Sequence, residues 1–177
     1  MLKMPNRLED ITMLPIRIKP DWTGFEARLV GLLAWVGVKL RIKSARLFLE
    51  DFHTVLGGVL YAPIGKRPND VSLSMLMHEG LHDWQKKEFW FYRSRYLLSK
   101  KQRAHFEAQA YALEVWGFGR SIASAVRSHR RPIYGLHVSR KESLALISSY
   151  VKAWTDRFGP LARSEFEDYP ESPGSDS

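Results

Sequence analysis

Cysteine is absent from the 177 residues, which excludes disulfides, thiolate metal sites and cysteine nucleophiles. Any metal held by this chain must therefore use histidine nitrogen and carboxylate oxygen. The absence also fits a reducing compartment. Long apolar runs are missing too. The longest, "LVGLLAWVGV" from Leu29 to Val38, falls short of the roughly 20 residues that span a bilayer and lies too deep in the chain for a signal peptide. The sequence thus reads as a soluble, cytoplasmic protein without a membrane partner. Acidic residues are in short supply, 19 Asp and Glu against 27 Lys and Arg, leaving a formal charge of +8. Such a balance suits an acidic partner such as nucleic acid, and equally it can serve only to keep a protein dispersed. Apolar residues, by contrast, make up 45% of the chain, enough for the core of one domain of this length.

Proline and glycine punctuate the chain. Pro5, Pro15 and Pro20 make the first ~20 residues an extended arm. A helix is expected from Trp22 or Thr23 to about Val36, stopped by Gly37. Short strands should follow: "VKLRI" alternates in period two, "ARLFLED" more weakly, and "HTVLGGVLYAP" is β-rich until Pro63, with Gly57 and Gly58 marking a bulge or hairpin. After the loop "GKRPND", Asn69 or Asp70 should cap a helix over about Val71 to Lys87, with Leu73, Met77, Leu81 and Trp84 on its core stripe. A second long helix should run from Ser99, three residues before Gln102, to about Arg127, with Arg131-Pro132 as its break. A last one should run from Ser139, paired with Glu142 in a capping box, to Phe158 before Gly159. Residues 1–163 then form one domain, and the acidic Ser- and Pro-rich tail 164–177 should be disordered.

The stretch "MLMHEGLHDWQ", residues 75–85, carries the most specific chemistry. In a helix, positions i and i+4 lie one above the other, so His78 and His82 can present two imidazoles to one ion. Glu79 stands about 100° round from His78, beside such an ion, where it can take a proton from a water bound there. This is the HExxH arrangement. The plainer alternative is two ordinary helix histidines with a solvated glutamate between them.

Such a site needs a third ligand, and "RAHFEAQAYALEVW", residues 103–116, offers three. Glu107 shares a small apolar stripe with Ala104, Ala108, Tyr111 and Phe118, a face that should be buried. A lone buried carboxylate costs several kcal/mol unless it is paired or metal-bound. An ion pair with Arg103 one turn back is the competing explanation. Glu114 is the reserve ligand and His105 the third choice, the latter on a wetter face with Gln109, Trp116 and Arg120.

"HEGLH" followed after 24 residues by "EAQAYA" resembles the small zincin metallopeptidases of the gluzincin type, and in general plan the short zincin-like proteins of bacteria and their phages. The resemblance covers roughly residues 48–118. It implies an α+β, zincin-like fold: an N-terminal helix and a small, mainly antiparallel sheet, followed by the active-site helix, a glutamate-bearing helix and a C-terminal helix. It further implies a zinc ion held by His78, His82 and Glu107, with Glu79 as general base in peptide-bond hydrolysis. By the same likeness "TVLGGVLY" should border the cleft and pair with an extended peptide substrate. Two features depart from the pattern. Tyr111 stands where the best-known gluzincins have an aspartate, which weakens support for a ligand histidine, and the glycine-plus-histidine extension of metzincins is missing.

An oxyanion donor is also required, and Tyr92, Tyr96, Tyr111, His105 and Arg103 all remain candidates. His53 reads as structural. "KKEFWFYRSRYLLSKKQR", residues 86–103, interleaves aromatics with seven Lys and Arg residues. It is either a loop whose aromatics pack on the core or a nucleic-acid platform, with Trp90, Phe91 and Tyr92 stacking on bases while Arg93, Arg95, Lys100 and Lys101 meet phosphates. "SHRRP", residues 128–132, is a basic helix end. Two rivals to the peptidase stand: a zincin-fold binding or phage structural protein without turnover, and a basic nucleic-acid-binding protein in which HExxH is coincidental.

Overall fold

The computed structural model describes residues 2–11, 13–40, 46, 49–50, 53–56, 58–131 and 138–160. Among these the architecture is α+β, with six α-helices and a three-stranded sheet. The elements are β1 (Ile16–Ile18), α1 (Phe25–Lys39), β2 (Thr54–Leu56), β3 (Val59–Ala62), α2 (Leu73–Glu88), α3 (Tyr92–Leu98), α4 (Lys100–Phe118), α5 (Ile122–His129) and α6 (Arg140–Phe158). The chain divides into two compact units, one Met13–Glu79 and the other Met1–Thr12 with Gly80–Ser177. Helix α2 is continuous across that division. Among the described residues no helix is long and apolar enough to cross a membrane.

In the first unit the order of strands is β1-β3-β2. The β2–β3 pair is an antiparallel hairpin whose turn includes Gly58 at φ +75°, a conformation glycine adopts without the strain a Cβ would add. β1 pairs with β3 in parallel, Ile16 opposite Leu60 and Ile18 opposite Ala62. The sheet is therefore mixed rather than mainly antiparallel, because the extended N-terminal arm supplies a strand. Leu14, Leu60, Ala62, Val71 and Leu76 form the core here, with Ile16, Ile18, Val55 and Met75 against them.

Four expectations are corrected in this unit. Helix α1 continues past Gly37 to Lys39; a single interior glycine costs a helix only about 1 kcal/mol, and that is too little to stop it. Val38 and Lys39 are thus helical, which removes the start of the expected "VKLRI" strand; the rest of that run, from Arg41, lies outside the described residues. Within "ARLFLED", Arg46, Leu49 and Glu50 are helical. Helix α2 is capped by Ser72, whose hydroxyl accepts from Met75 N at 3.2 Å, while Asn69 and Asp70 belong to a preceding 3-10 turn. One close contact fixes α1 locally: the Trp22 indole lies where a Cβ on Gly31 would stand, within 2.3 Å.

The second unit is helical, with α4 at its centre and α3, α5 and α6 packed on it. Ser99 caps α4 as expected, accepting from Gln102 N. Gly119 in the left-handed region (φ 66°) then ends that helix, and Ser121 caps a separate α5, so the expected single helix to Arg127 is two. Ser139 and Glu142 form the expected capping box at the start of α6, which ends at Gly159. Trp116, Trp154 and Phe158 stack at centroid distances of 5.6–5.9 Å. Buried His129 ties α5 to both neighbours: Nε2 donates to the Ala104 carbonyl (2.9 Å), so Nδ1 accepts from Ser143 Oγ (2.8 Å). Residues 86–103 are largely helical rather than a loop, and the expected tail lies outside the described residues.

Candidate metal centre

Helix geometry sets the first two side chains. α2 buries Leu76, Met77, Leu81 and Trp84, with Leu76 in the place expected for Leu73. The same helix carries His78 and His82 one turn apart. On α4, Glu107 is only 2% exposed, among buried Ala104, Ala108 and Tyr111, as its apolar stripe requires. The ligand atoms of His78, His82 and Glu107 all lie within 4.8 Å of one another. His82 Nε2 and Glu107 Oε1 are 3.6 Å apart, close to the ~3.3 Å edge of a tetrahedron with metal–ligand bonds near 2.0 Å. Two imidazole nitrogens and one carboxylate oxygen form a donor set that suits a divalent ion such as zinc.

The orientation of His82 follows from a buried network that the motif does not reveal. Gln85 Nε2 donates to the Phe106 carbonyl at 3.2 Å and to Gln109 Oε1 at 2.9 Å. Gln109 Nε2 in turn donates to the Lys3 carbonyl at 3.0 Å. Two backbone carbonyls, which can only accept, thereby fix which way both amides face. Gln85 must present Oε1 to His82, 2.8 Å from Nδ1, so Nδ1 carries the proton. The lone pair is then on Nε2, the nitrogen that faces Glu107. A hydrogen bond of this kind sets the tautomer of a metal-ligating histidine. Tyr96 adds a second support by donating its hydroxyl to Glu107 Oε1, and its ring meets His82 edge-on at 6.3 Å.

The other candidates fall out by their partners. Glu114 is buried against Arg120, and His105 Nδ1 is 3.0 Å from the Tyr150 hydroxyl, so neither reserve ligand joins the cluster. The face of His105 is also less wet than expected, since Gln109 is fully buried. Tyr111 packs under Arg120, 5.1 Å from its ring, and Arg103 Nε donates to the Tyr96 carbonyl at 2.6 Å. Tyr92 stands beside His82, its hydroxyl 3.4 Å from Nδ1. His53 has its pKa pushed down, first by burial and then by the charges of Lys19, Lys66 and His78.

Glu79 is half-buried on α2 and takes no part in the ligand cluster. Its charge acts on Lys19, which is 1% exposed. Burial lowers the Lys19 pKa to about 8, and Glu79 opposes that shift. Neither Gln85 nor Lys19 belongs to the sequence-derived site. For Gln85 a signal existed, an amide three residues after a ligand histidine on the apolar side of α2; for Lys19 none did. No protein-family model matches the chain, and comparison with curated proteins and with solved structures found no match.

Proposed function

We propose that the chain is a zinc-dependent metallopeptidase of the zincin kind. The observation that carries this reading is the buried His78–His82–Glu107 cluster, with its ligand atoms within 4.8 Å of one another, directly beside Glu79. His78 and His82 would bind through ring nitrogens and Glu107 through a carboxylate oxygen. A bound zinc supplies Lewis acidity, lowering the pKa of a coordinated water and polarising a carbonyl. The Glu79 carboxylate takes the proton that water gives up and passes it to the leaving nitrogen of the peptide, which makes that nitrogen a neutral amine. Tyr96 and Gln85 hold Glu107 and His82 in place and do not themselves move protons. An extended peptide would pair by its backbone with β2: β3 is paired on both sides, and β2 is one of the two edge strands, with β1, among the described residues.

The test is metal analysis joined to hydrolysis of a mixed peptide library read by mass spectrometry. About one zinc per chain is expected in the wild type, none in Glu107→Ala, and full zinc without cleavage in Glu79→Gln. Cleavage by Glu79→Gln at the wild-type rate would refute the mechanism. A zinc-loaded wild type that cleaves nothing would favour the binding protein without turnover.

A second reading draws on Trp90 and Phe91, which are 78% and 69% exposed with ring centroids 5.7 Å apart and exposed Lys100 and Lys101 on the same stretch of chain. Exposed aromatics among cations suit single-stranded nucleic acid. Binding that weakens steeply with salt and ignores chelators would support it.

A further inference from the structure

The run "LVGLLAWVGV", too short to span a bilayer, forms most of α1, and its burial is inverted. Ala27 and Ala34 are 2% and 7% exposed, and Gly31 between them is buried against the Trp22 indole. At 100° per residue these three share an arc of about 60°, the side packed on the protein. Leu29, Leu32, Leu33, Val36 and Leu40 fall within about 100° on the opposite side, and they are 45%, 56%, 62%, 39% and 69% exposed. Exposed apolar residues scattered singly are ordinary, whereas a contiguous stripe on one helix face marks a surface that meets something apolar.

The edge of that stripe indicates what it meets. Arg28, Trp35 and Lys39 lie within about 40° of one another along one flank. All three are exposed, and the Lys39 ammonium sits 5.3 Å from the centre of the Trp35 ring. A second copy of α1 laid antiparallel by a two-fold axis would bring Arg28 of one copy beside Lys39 of the other, cation against cation. Nucleic acid would meet the cations and leave the aliphatic stripe in water. An anionic lipid surface satisfies both: acyl chains take the stripe and headgroups take the cations, with Trp35 at the boundary that suits its apolar ring and polar N–H. Glu26 is the sole acidic residue of α1, and Arg41 and Lys43 follow within four residues of its end, so the charge along this stretch has the matching sign.

We infer that α1 is a docking element for an anionic lipid surface, lying in its plane with Leu29, Leu32, Leu33, Val36 and Leu40 turned into it. The length that excludes a span places no limit on a helix that lies flat. The inference is independent of the metal centre and of the peptidase reading.

The experiment sediments the full chain with vesicles of phosphatidylcholine containing about one-third phosphatidylserine, and with phosphatidylcholine alone. The wild type should bind the first at least tenfold more strongly, and lose most of that binding as salt rises from about 0.1 M to about 0.5 M. Arg28→Gln/Lys39→Gln should weaken binding about 25-fold, at roughly fivefold for each cation near a charged surface. Leu32→Gln/Leu33→Gln should weaken it at least tenfold with an unchanged melting curve, since both side chains are already exposed. Leu98→Gln, at a position 86% exposed outside α1, should bind as the wild type does. A wild type that stays in the supernatant with phosphatidylserine overturns the inference, as does wild-type binding by Leu32→Gln/Leu33→Gln. If that double variant does not fold, Leu33→Gln alone decides, with at least a threefold loss expected. A wild type that binds no vesicle but forms a dimer, or holds single-stranded DNA, in a manner abolished by Leu32→Gln/Leu33→Gln also overturns it, in favour of a second copy or of nucleic acid.

Discussion

Replacing Gln85 with leucine tests whether a buried amide, rather than helix spacing alone, orients the candidate metal ligand. The side chain is fully buried and bonds to His82 Nδ1, the Phe106 carbonyl and Gln109 Oε1. Leucine fills a similar volume but can do none of this. The Phe106 carbonyl, inside α4, keeps its helical partner. Gln109 Oε1 loses its partner and the His82 N–H is left with only the longer contact to the Tyr92 hydroxyl, at about 1–3 kcal/mol for each group. The extra apolar surface returns about 1 kcal/mol, leaving a net loss of about 3 kcal/mol. In a chain of this size that lowers Tm by about 6–12 °C. Loss of the bond that sets the His82 tautomer should also weaken zinc binding by about 10- to 100-fold. Circular dichroism melts of metal-free protein and competition with a zinc-chelating dye read the two effects separately. Gln85→Glu separates them further: it still accepts from His82 Nδ1 but cannot donate to Gln109, so it should lose stability and keep most of the zinc affinity. A Gln85→Leu protein that melts within about 2 °C of the wild type and binds zinc equally well would refute the reasoning.

Other outcomes follow from the same structure. Zinc at a hundred times its Kd should stabilise the wild type by about 2.7 kcal/mol; in Glu107→Ala thermal melts should show no such gain, and chelator should reverse it in the wild type only. Between pH 8 and 10.5 the unfolded chain holds a proton that folded Lys19 has released, so stability rises with pH over that window, by up to about 3 kcal/mol at 1.36 kcal/mol per unit. Burial pushes the Tyr150 hydroxyl up to about 12, so the fold keeps that proton longer than the unfolded chain does and loses a similar amount between pH 10 and 12. Urea midpoints taken across pH 7.5–12 should therefore pass through a maximum near pH 10. His129 has its pKa lowered, chiefly by burial; the unfolded chain takes up a proton there first as pH falls through 6.5, so stability falls, and His129→Gln should flatten that limb. Gly31→Ala should cost about 1–3 kcal/mol in urea unfolding, because the Trp22 indole must be displaced.

What could be read from the sequence was what a single element decides. Ser139, Glu142 and Gly159 bound α6 through bonds within a few residues, and the hairpin turn that includes Gly58 is local in the same way. Glu107 was legible because one carboxylate on a stripe of alanines is an anomaly that helix geometry exposes before any neighbour is known. The misses have physical causes too. Gly37 and Gly119 look alike in sequence, but the first sits inside a helix and the second adopts the left-handed conformation that ends one. β1 was read as a bare arm because a parallel pairing is fixed by β3, more than 40 residues later, and nothing near Ile16 announces it. Lys19 needed the same long-range information.

The buried polar groups also bear on which rival explains the chain. Glu107, Gln85, Gln109 and Lys19 are all almost wholly enclosed, and apolar side chains of similar size would in general serve stability as well or better. Holding a metal accounts for the first three, and it does so equally for a peptidase and for a zincin-fold protein without turnover. It does not account for Lys19. The metal cluster therefore does not separate the two readings; peptide cleavage by the wild type, and its loss in a zinc-loaded Glu79→Gln, would.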